Sequence, residues 1–165
     1  MISFFKRCTL ANCLLLIVYC SFALTSCKQI DVFEKNTPIP KYRWQNNFKA
    51  TGELAISDTS SFYNIYIVLR HTDAYKYNNI WLNVNVQSKT QTIINQKLDI
   101  ALAADATGWE GIAMNDIWEV RKRITAIPFK FTKKDNYQYS LTQLMRDNPL
   151  LHVMSVGIRV EKAIF

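Results

Sequence analysis

After residue 27 the chain contains no cysteine. All four cysteines of the 165-residue sequence, Cys8, Cys13, Cys20 and Cys27, fall at or before that point, which excludes a disulfide-stapled scaffold and a cysteine-based zinc site in the remainder. Histidine is scarce as well, with His71 and His152 alone. His71 and Asp73 would share one face of a strand, but that supplies at most two metal ligands where a site needs a third or fourth, so no metal and no cofactor are expected. No Gly-x-Ser-x-Gly elbow is present, and His71-Thr72-Asp73 by itself is an ordinary composition for a strand end. Glu110, Asp116 and Glu119 are the carboxylates available for glycoside hydrolysis. Such a pair must face each other at about 5 to 9.5 Å, and acids beside Gly108-Trp109-Glu110-Gly111 read more simply as turn residues. No catalytic residue is therefore assigned, and the chain is expected not to be an enzyme.

Charge of one sign is not concentrated either. The formal charge is +7, yet the basic clusters after residue 27 are only Arg121-Lys122-Arg123 and Lys133-Lys134, too sparse for a nucleic-acid partner. Low-complexity tracts and internal repeats are absent, and a single domain of this length buries roughly two thirds of its unfolded surface without covalent help.

Long hydrophobic runs are absent except at the N-terminus, where Lys6-Arg7 precedes the apolar stretch Leu10 to Leu24, broken by Asn12 and Ser21. At fifteen residues it is short for a helix that must span roughly 20 residues of bilayer. Basic residues, apolar stretch and then Leu24-Thr25-Ser26-Cys27 have the layout of an export signal ending in a lipobox. Residues 1–26 are thus expected to be a signal peptide, with cleavage before Cys27 and acylation of that residue by a diacylglycerol and a further chain such as palmitate. Each buried methylene contributes on the order of 0.8 kcal/mol, so two or three chains anchor stably. Cleavage removes Lys6 and Arg7 and lowers the formal charge from +7 to +5.

What fills the rest is alternation. Phe48, Ala50, Leu54 and Ile56 alternate with Lys49, Thr51 and Glu53. Ile80, Leu82, Val84 and Val86 alternate with Trp81, Asn83, Asn85 and Gln87, and the same period holds at Leu98 to Leu102 and Val156 to Glu161. Period two means half-buried strands. Asn64 to Arg70 is apolar on both parities, as in a central strand covered on its outer face too. Ile30 to Phe33, Ile93-Ile94, Ile127 to Phe131 and Tyr137 to Leu141 are further strand candidates. Asp116 to Arg123 is the one helix candidate, with Asp116 as N-cap and basic residues in the last turn. About eight short strands and at most one short helix predict an all-β antiparallel sandwich, jelly-roll-like or immunoglobulin-like. The expected organisation is a signal over 1–26, a lipidated N-terminus and tether over 27–43, and the β-sandwich over 44–165.

The lipobox, the segment Asn64-Ile-Tyr-Ile-Val-Leu-Arg-His-Thr-Asp-Ala-Tyr-Lys-Tyr-Asn-Asn-Ile-Trp-Leu82, then Gln143-Leu-Met-Arg-Asp-Asn-Pro-Leu150 and Val156-Gly-Ile-Arg-Val-Glu161 together resemble the gliding-motility lipoprotein family GldH. Members tend to carry Tyr-Pro-Tyr where this chain has Tyr75-Lys76-Tyr77. The resemblance implies an envelope lipoprotein held on the membrane by the lipid on Cys27. It implies a role in gliding motility and type IX secretion, with other envelope proteins of that machinery as partners, and it brings no catalytic residue or cofactor. Similar proteins also occur in relatives that do not glide.

Binding is the chemistry the residues themselves support. Trp81 lies on the polar parity of its strand, Tyr75 and Tyr77 precede it, Trp109 sits in a glycine-containing loop and Arg146 heads Arg146-Asp147-Asn148-Pro149. Aromatic faces beside amides and guanidinium groups suit carbohydrate or peptide recognition, so a lipid-anchored glycan-binding sandwich for nutrient capture is the alternative reading. Against it, an outer helix or the N-terminal segment would cover Trp81, and Arg146 to Pro149 would be a structural corner. Arg70, ending an apolar strand, is expected to pair with Asp73 or Asp147. Lys28-Gln29 lacks an aspartate at the second mature position, which points to the outer membrane, periplasmic face, ahead of the cell surface or the inner membrane.

Overall fold

The computed structural model describes residues 32–104 and 106–164. From the N-terminal side its strands are β1 (Val32–Pro38), β2 (Arg43–Trp44), β3 (Ala50–Ile56), β4 (Tyr63–Thr72), β5 (Asn79–Gln87) and β6 (Thr92–Ala101). There follow β7 (Ala103–Ala104), β8 (Gly108–Trp109), β9 (Ile112–Met114), β10 (Ile117–Arg123), β11 (Asp135–Gln143), β12 (Leu150–Leu151) and β13 (Val153–Lys162). A single 3-10 turn at Pro40–Tyr42 is the one helical element among the described residues.

The strands form a five-stranded sheet, β1-β13-β4-β10-β9, and a four-stranded sheet, β3-β11-β5-β6, with β12-β2 and β7-β8 as two-stranded ladders. All pairings are antiparallel. With the short strands β2, β7, β8, β9 and β12 set aside, the remaining eight strands counted in chain order pair as 1-8-3-6 and 2-7-4-5. That is the jelly-roll order, so of the two expected sandwiches the jelly roll is the one present.

Alternation explains the core. Ile65, Ile67 and Leu69 of β4, Leu82 and Val84 of β5, Tyr137, Tyr139 and Leu141 of β11, and Val156, Ile158 and Val160 of β13 all project inward and belong to one apolar cluster. Tyr139 crosses between the sheets, its ring over Gly52 where a Cβ would collide, and its hydroxyl donates to the Lys35 carbonyl of β1 at 3.1 Å. Val68 is fully buried on the other parity of β4, in keeping with its central position. Gly157 lies opposite Val68, and a side chain there would strike the Lys35 carbonyl and Asn36.

Two expectations are corrected. Asp116 to Arg123 is not a helix: Ile117–Arg123 is β10, paired residue by residue with β4 from Ile117↔Thr72 to Arg123↔Tyr66. The segment is rich in β-branched and aromatic residues, and the unpaired flank of β4 satisfies its backbone, which outweighs the capping pattern. The tether does not extend to residue 43 either, because Val32–Pro38 is sheet, paired with β13 from Val32↔Glu161 to Pro38↔Ser155. The strand expected over Ile127 to Phe131 reduces to an isolated bridge between Phe129 and Tyr63. The signal peptide over 1–26, Cys27 and its lipid lie outside the described residues.

Candidate binding surface

The two outer faces of the sandwich differ in chemistry. On the five-stranded sheet the register sets Glu34, Arg159, Tyr66 and Arg123 in one row and Asn36, Gly157, Val68 and Arg121 in the next. Arg159 pairs with Glu34 at 2.9 Å and with Glu161 at 3.0 Å, and Arg121 reaches Glu34 at 3.9 Å across the two intervening strands, over Gly157 and Val68. Glu119 is buried, 6% exposed, between Arg70 at 2.6 Å and Arg121 at 2.7 Å. The expected partner of Arg70 is thus corrected from Asp73 or Asp147 to Glu119, a residue that comes opposite Arg70 only because 117–123 is a strand. A carboxylate that far from water is stable where both of its oxygens meet guanidinium donors.

The four-stranded sheet presents no such ladder. On its two central strands the outward positions are Asn79, Trp81, Asn83, Asn85 and Gln87 of β5, and Asn136, Gln138, Ser140 and Thr142 of β11. None of these carries a charge. Register brings Ser140 opposite Asn85 and Thr142 opposite Asn83, with Thr51 of β3 beside Ser140 and Asn95 of β6 beside Asn85. Side-chain hydrogen bonds on this face, among the described residues, are those at its ends: Gln138 Nε2 donates to Glu53 at 3.3 Å, and Asn79 Nδ2 to Asp99 at 2.7 Å. At the Gln138 end lies a depression of about 290 Å³ lined by residues that include Thr51, Glu53, Asn85, Gln87, Gln138 and Ser140. Amides and hydroxyls both donate and accept, so the face matches an uncharged, hydroxyl-rich ligand better than an ion.

Trp81 stands at one end of this face and is 43% exposed; no described helix covers it. Its backbone is fixed by the chain leaving β11. Leu144 N–H donates to the Trp81 carbonyl at 2.8 Å, and Trp81 N–H points at Met145 Sδ at 3.3 Å. The chain after β11 is shaped by Gln143, buried at 1% exposure, which donates to the Trp44 and Asp147 carbonyls and accepts from Met145 N–H. A glutamine at an inward position of an otherwise apolar parity was the signal for this role in the sequence. Asn148 Oδ1 accepts from Asn46 N–H at 3.0 Å, and Asp147 pairs with Lys76 at 3.6 Å. The Arg146 to Pro149 corner and the Tyr75-Lys76-Tyr77 loop are therefore neighbours, and Arg146 itself is exposed at their edge.

Tyr75 is corrected as a surface residue. It is 3% exposed, and its hydroxyl donates to the Asn79 carbonyl at 3.1 Å. Burial pushes its phenol well above the ordinary range, and Tyr77 and Asp147 add to the effect. Tyr75 packs edge-on against Tyr77 with ring centres 6.0 Å apart, and His71 lies 5.4 Å from Tyr75 and 4.6 Å from Trp109. Trp109 and Tyr77 are half-buried. His71 is fully buried; its Nδ1 lies 2.8 Å from the Thr72 carbonyl, so the proton sits on Nδ1 and Nε2 is left without a partner among the described residues. Burial pushes the imidazole below its ordinary value, against the opposing pull of the Thr72 carbonyl. Of the five candidates, then, Trp81 and Arg146 face solvent, Trp109 and Tyr77 do so in part, and Tyr75 supports the others from within.

Of the three candidate carboxylates, Asp116 is exposed and the other two are paired. Glu110 is held by Lys122 and Glu119 by two arginines. Among the described residues there is no group of three His, Cys, Asp or Glu placed to hold a metal ion, and no helix long and apolar enough to cross a membrane.

Fold and surface together define an all-β jelly-roll sandwich with one ion-paired outer face and one outer face whose two central strands are neutral and amide-rich between charged edge strands that carry Glu53, Lys97 and Asp99. A profile of the GldH lipoprotein family matches residues 31–160, and the chain belongs to that family. It is similar to the gliding motility lipoprotein GldH homolog of Christiangramia forsetii, with 24% identity over 153 residues that cover 88% of this chain and 93% of the relative. Among solved structures it aligns with the insecticidal delta-endotoxin Cry8Ea1 of Bacillus thuringiensis at a TM-score of 0.36 and 16% identity, over 80% of this chain and 19% of the toxin. It also aligns with infectious bursal disease virus, strain Gx, at a TM-score of 0.18 and 12% identity, over 83% of this chain and 38% of the viral one. Scores this low carry no argument about fold or function.

Proposed function

We propose that this chain is a non-enzymatic, lipid-anchored envelope protein that serves the assembly or function of the gliding-motility and type IX secretion machinery through contacts with other envelope proteins. The observation that carries the reading is membership of the GldH lipoprotein family over residues 31–160, together with a relative named for gliding motility. The non-enzymatic part is supported by the use of the candidate acids: Glu110 and Glu119 are committed to ion pairs. Anchoring is assigned to the lipid on Cys27, with the outer membrane, periplasmic face, as the location. A deletion strain tests the role. Export of type IX cargo and colony spreading should both fail, and a copy carrying Cys27→Ser should not restore them. Normal cargo export and normal spreading in the deletion strain would sink the proposal, while protease shaving of intact cells distinguishes the periplasmic face from the cell surface.

One observation favours the second reading, a glycan-binding sandwich for nutrient capture: the uncharged outward positions of the two central strands of the four-stranded sheet, with the half-exposed Trp81 at their end. On that reading neutral polysaccharides should retard the protein in affinity gels, and Trp81→Ala should abolish the retardation with secretion intact.

A further inference from the structure

We infer that the end of the sandwich where β1 begins lies against the bilayer, with Ile127 in the interface and the surrounding lysines on anionic lipid headgroups. The inference rests on the reading of Cys27 as the anchor and adds an orientation to it. Chain length is the first argument. From Cys27 to Val32, the first residue of β1, there are only five peptide units, and an extended chain covers at most about 3.6 Å per residue, so the entry of β1 stays within about 18 Å of the lipidated residue.

What surrounds that entry is the second argument. Val32 pairs with Glu161, Lys162 with Tyr63, and Tyr63 bridges to Phe129. Ala163 N–H donates to the Phe62 carbonyl, while Thr132 and Lys133 meet Gln91 and Thr90 of the β5–β6 turn. The most exposed large apolar side chains among the described residues, Ile164 at 81% and Ile127 at 78%, are both on this end. The segment after β10 that carries Ile127 also lines, with Ile93 and Phe129, an apolar groove of about 460 Å³.

Charge is the third argument. Lys89, Arg123, Lys130, Lys133 and Lys134 crowd this end against Asp135, while Asp58 is taken by Ser60, Ser61 and Lys162, and Glu161 by Arg159. Exposed apolar residues ringed by lysine form the interfacial pattern that supplements an acyl anchor, because anionic lipid attracts each cation near the surface.

The mature domain has no thiol besides the acylated Cys27, so a single introduced cysteine gives a unique label. The full lipidated chain, labelled with a fluorophore at Ile127→Cys or at Leu144→Cys on the opposite end, is reconstituted into vesicles of phosphatidylcholine and phosphatidylglycerol in equal parts. Nitroxide lipids should quench the label at 127 several-fold and leave that at 144 unchanged, and Lys130→Glu with Lys134→Glu should reverse the quenching. An unquenched label at 127, or equal quenching at both positions, on a chain whose Cys27 lipid is verified by mass spectrometry overturns the orientation alone. A Cys27 found unmodified overturns the anchor reading and the orientation with it.

Discussion

At the end of the sandwich where β1 begins, the connections are basic and packed only at their roots: Phe131 is buried against Tyr63, Phe129 and Tyr137, whereas Ile127 of the same segment is left in solvent. At the other end the connections carry their own interior. There Trp44 is fully buried and its indole N–H donates to the Phe48 carbonyl at 3.0 Å, Gln143 ties together three backbone groups, and His71, Tyr75 and Trp109 pack ring against ring. One ion pair, Lys76 on Asp147, joins two of its loops. The difference teaches where order is invested. Both ends root their connections on buried aromatics, but one also packs its loop residues ring against ring, while the other leaves a large apolar side chain, Ile127, exposed.

The sharpest way to break the comparison is to empty the ordered end. Trp44→Ala should destabilise the fold by about 3–5 kcal/mol in urea titration, the range for truncating a buried aromatic; a loss near zero would mean that this end is not part of the cooperative core. Gln143→Ala should cost about 1–3 kcal/mol, because it leaves buried backbone groups unpaired, and amide exchange should accelerate at Met145 first. His71 sharpens the contrast through pH. Its folded pKa is depressed, so the unfolded chain takes up the proton first as pH falls below about 6.5. The stability it contributes is present above that pH and is lost as pH falls towards the folded value. His71→Phe should remove this part of the acid slope in urea midpoints measured between about pH 7.5 and about pH 5.5. At the basic end, Lys133→Ser with Lys134→Ser should shift stability by no more than about 0.5 kcal/mol, and a larger loss would show that this end is ordered too.

Legibility from the sequence followed the strength of the alternating signal. The runs at 80–86 and 156–160 and the doubly apolar 65–69 were readable because burial is decided there by parity alone, and they became β5, β13 and the centre of the larger sheet. Residues 116–123 were misread because Asp116 and the following basic residues satisfy helix-capping rules locally, while the decisive fact, the unpaired flank of β4, lies some fifty residues away in sequence. β1 was legible only at its start, where Ile30 to Phe33 reads as a strand that overlaps Val32 and Phe33. Glu34, Lys35 and Asn36 look like tether composition until Arg159 is found opposite Glu34. At the candidate surface the exposed Trp81 was legible as an aromatic on a polar parity. Tyr75 was not, since nothing local announces that His71 and Trp109 will close over a loop residue. The neutrality of the amide face emerges only once β5 and β11 are known to be neighbours.

The position of β1 also has a mechanical meaning. It is an outermost strand of its sheet, and all seven of its residues are in register with β13. A pull on the anchor directed along the strand therefore strains every rung of that ladder together, instead of opening the rungs one after another as a pull across the strand would. At Gly157 a side chain would collide with Lys35 and Asn36 of β1, so the pairing there depends on glycine. A domain pulled along its leading strand in this way resists unravelling from that end.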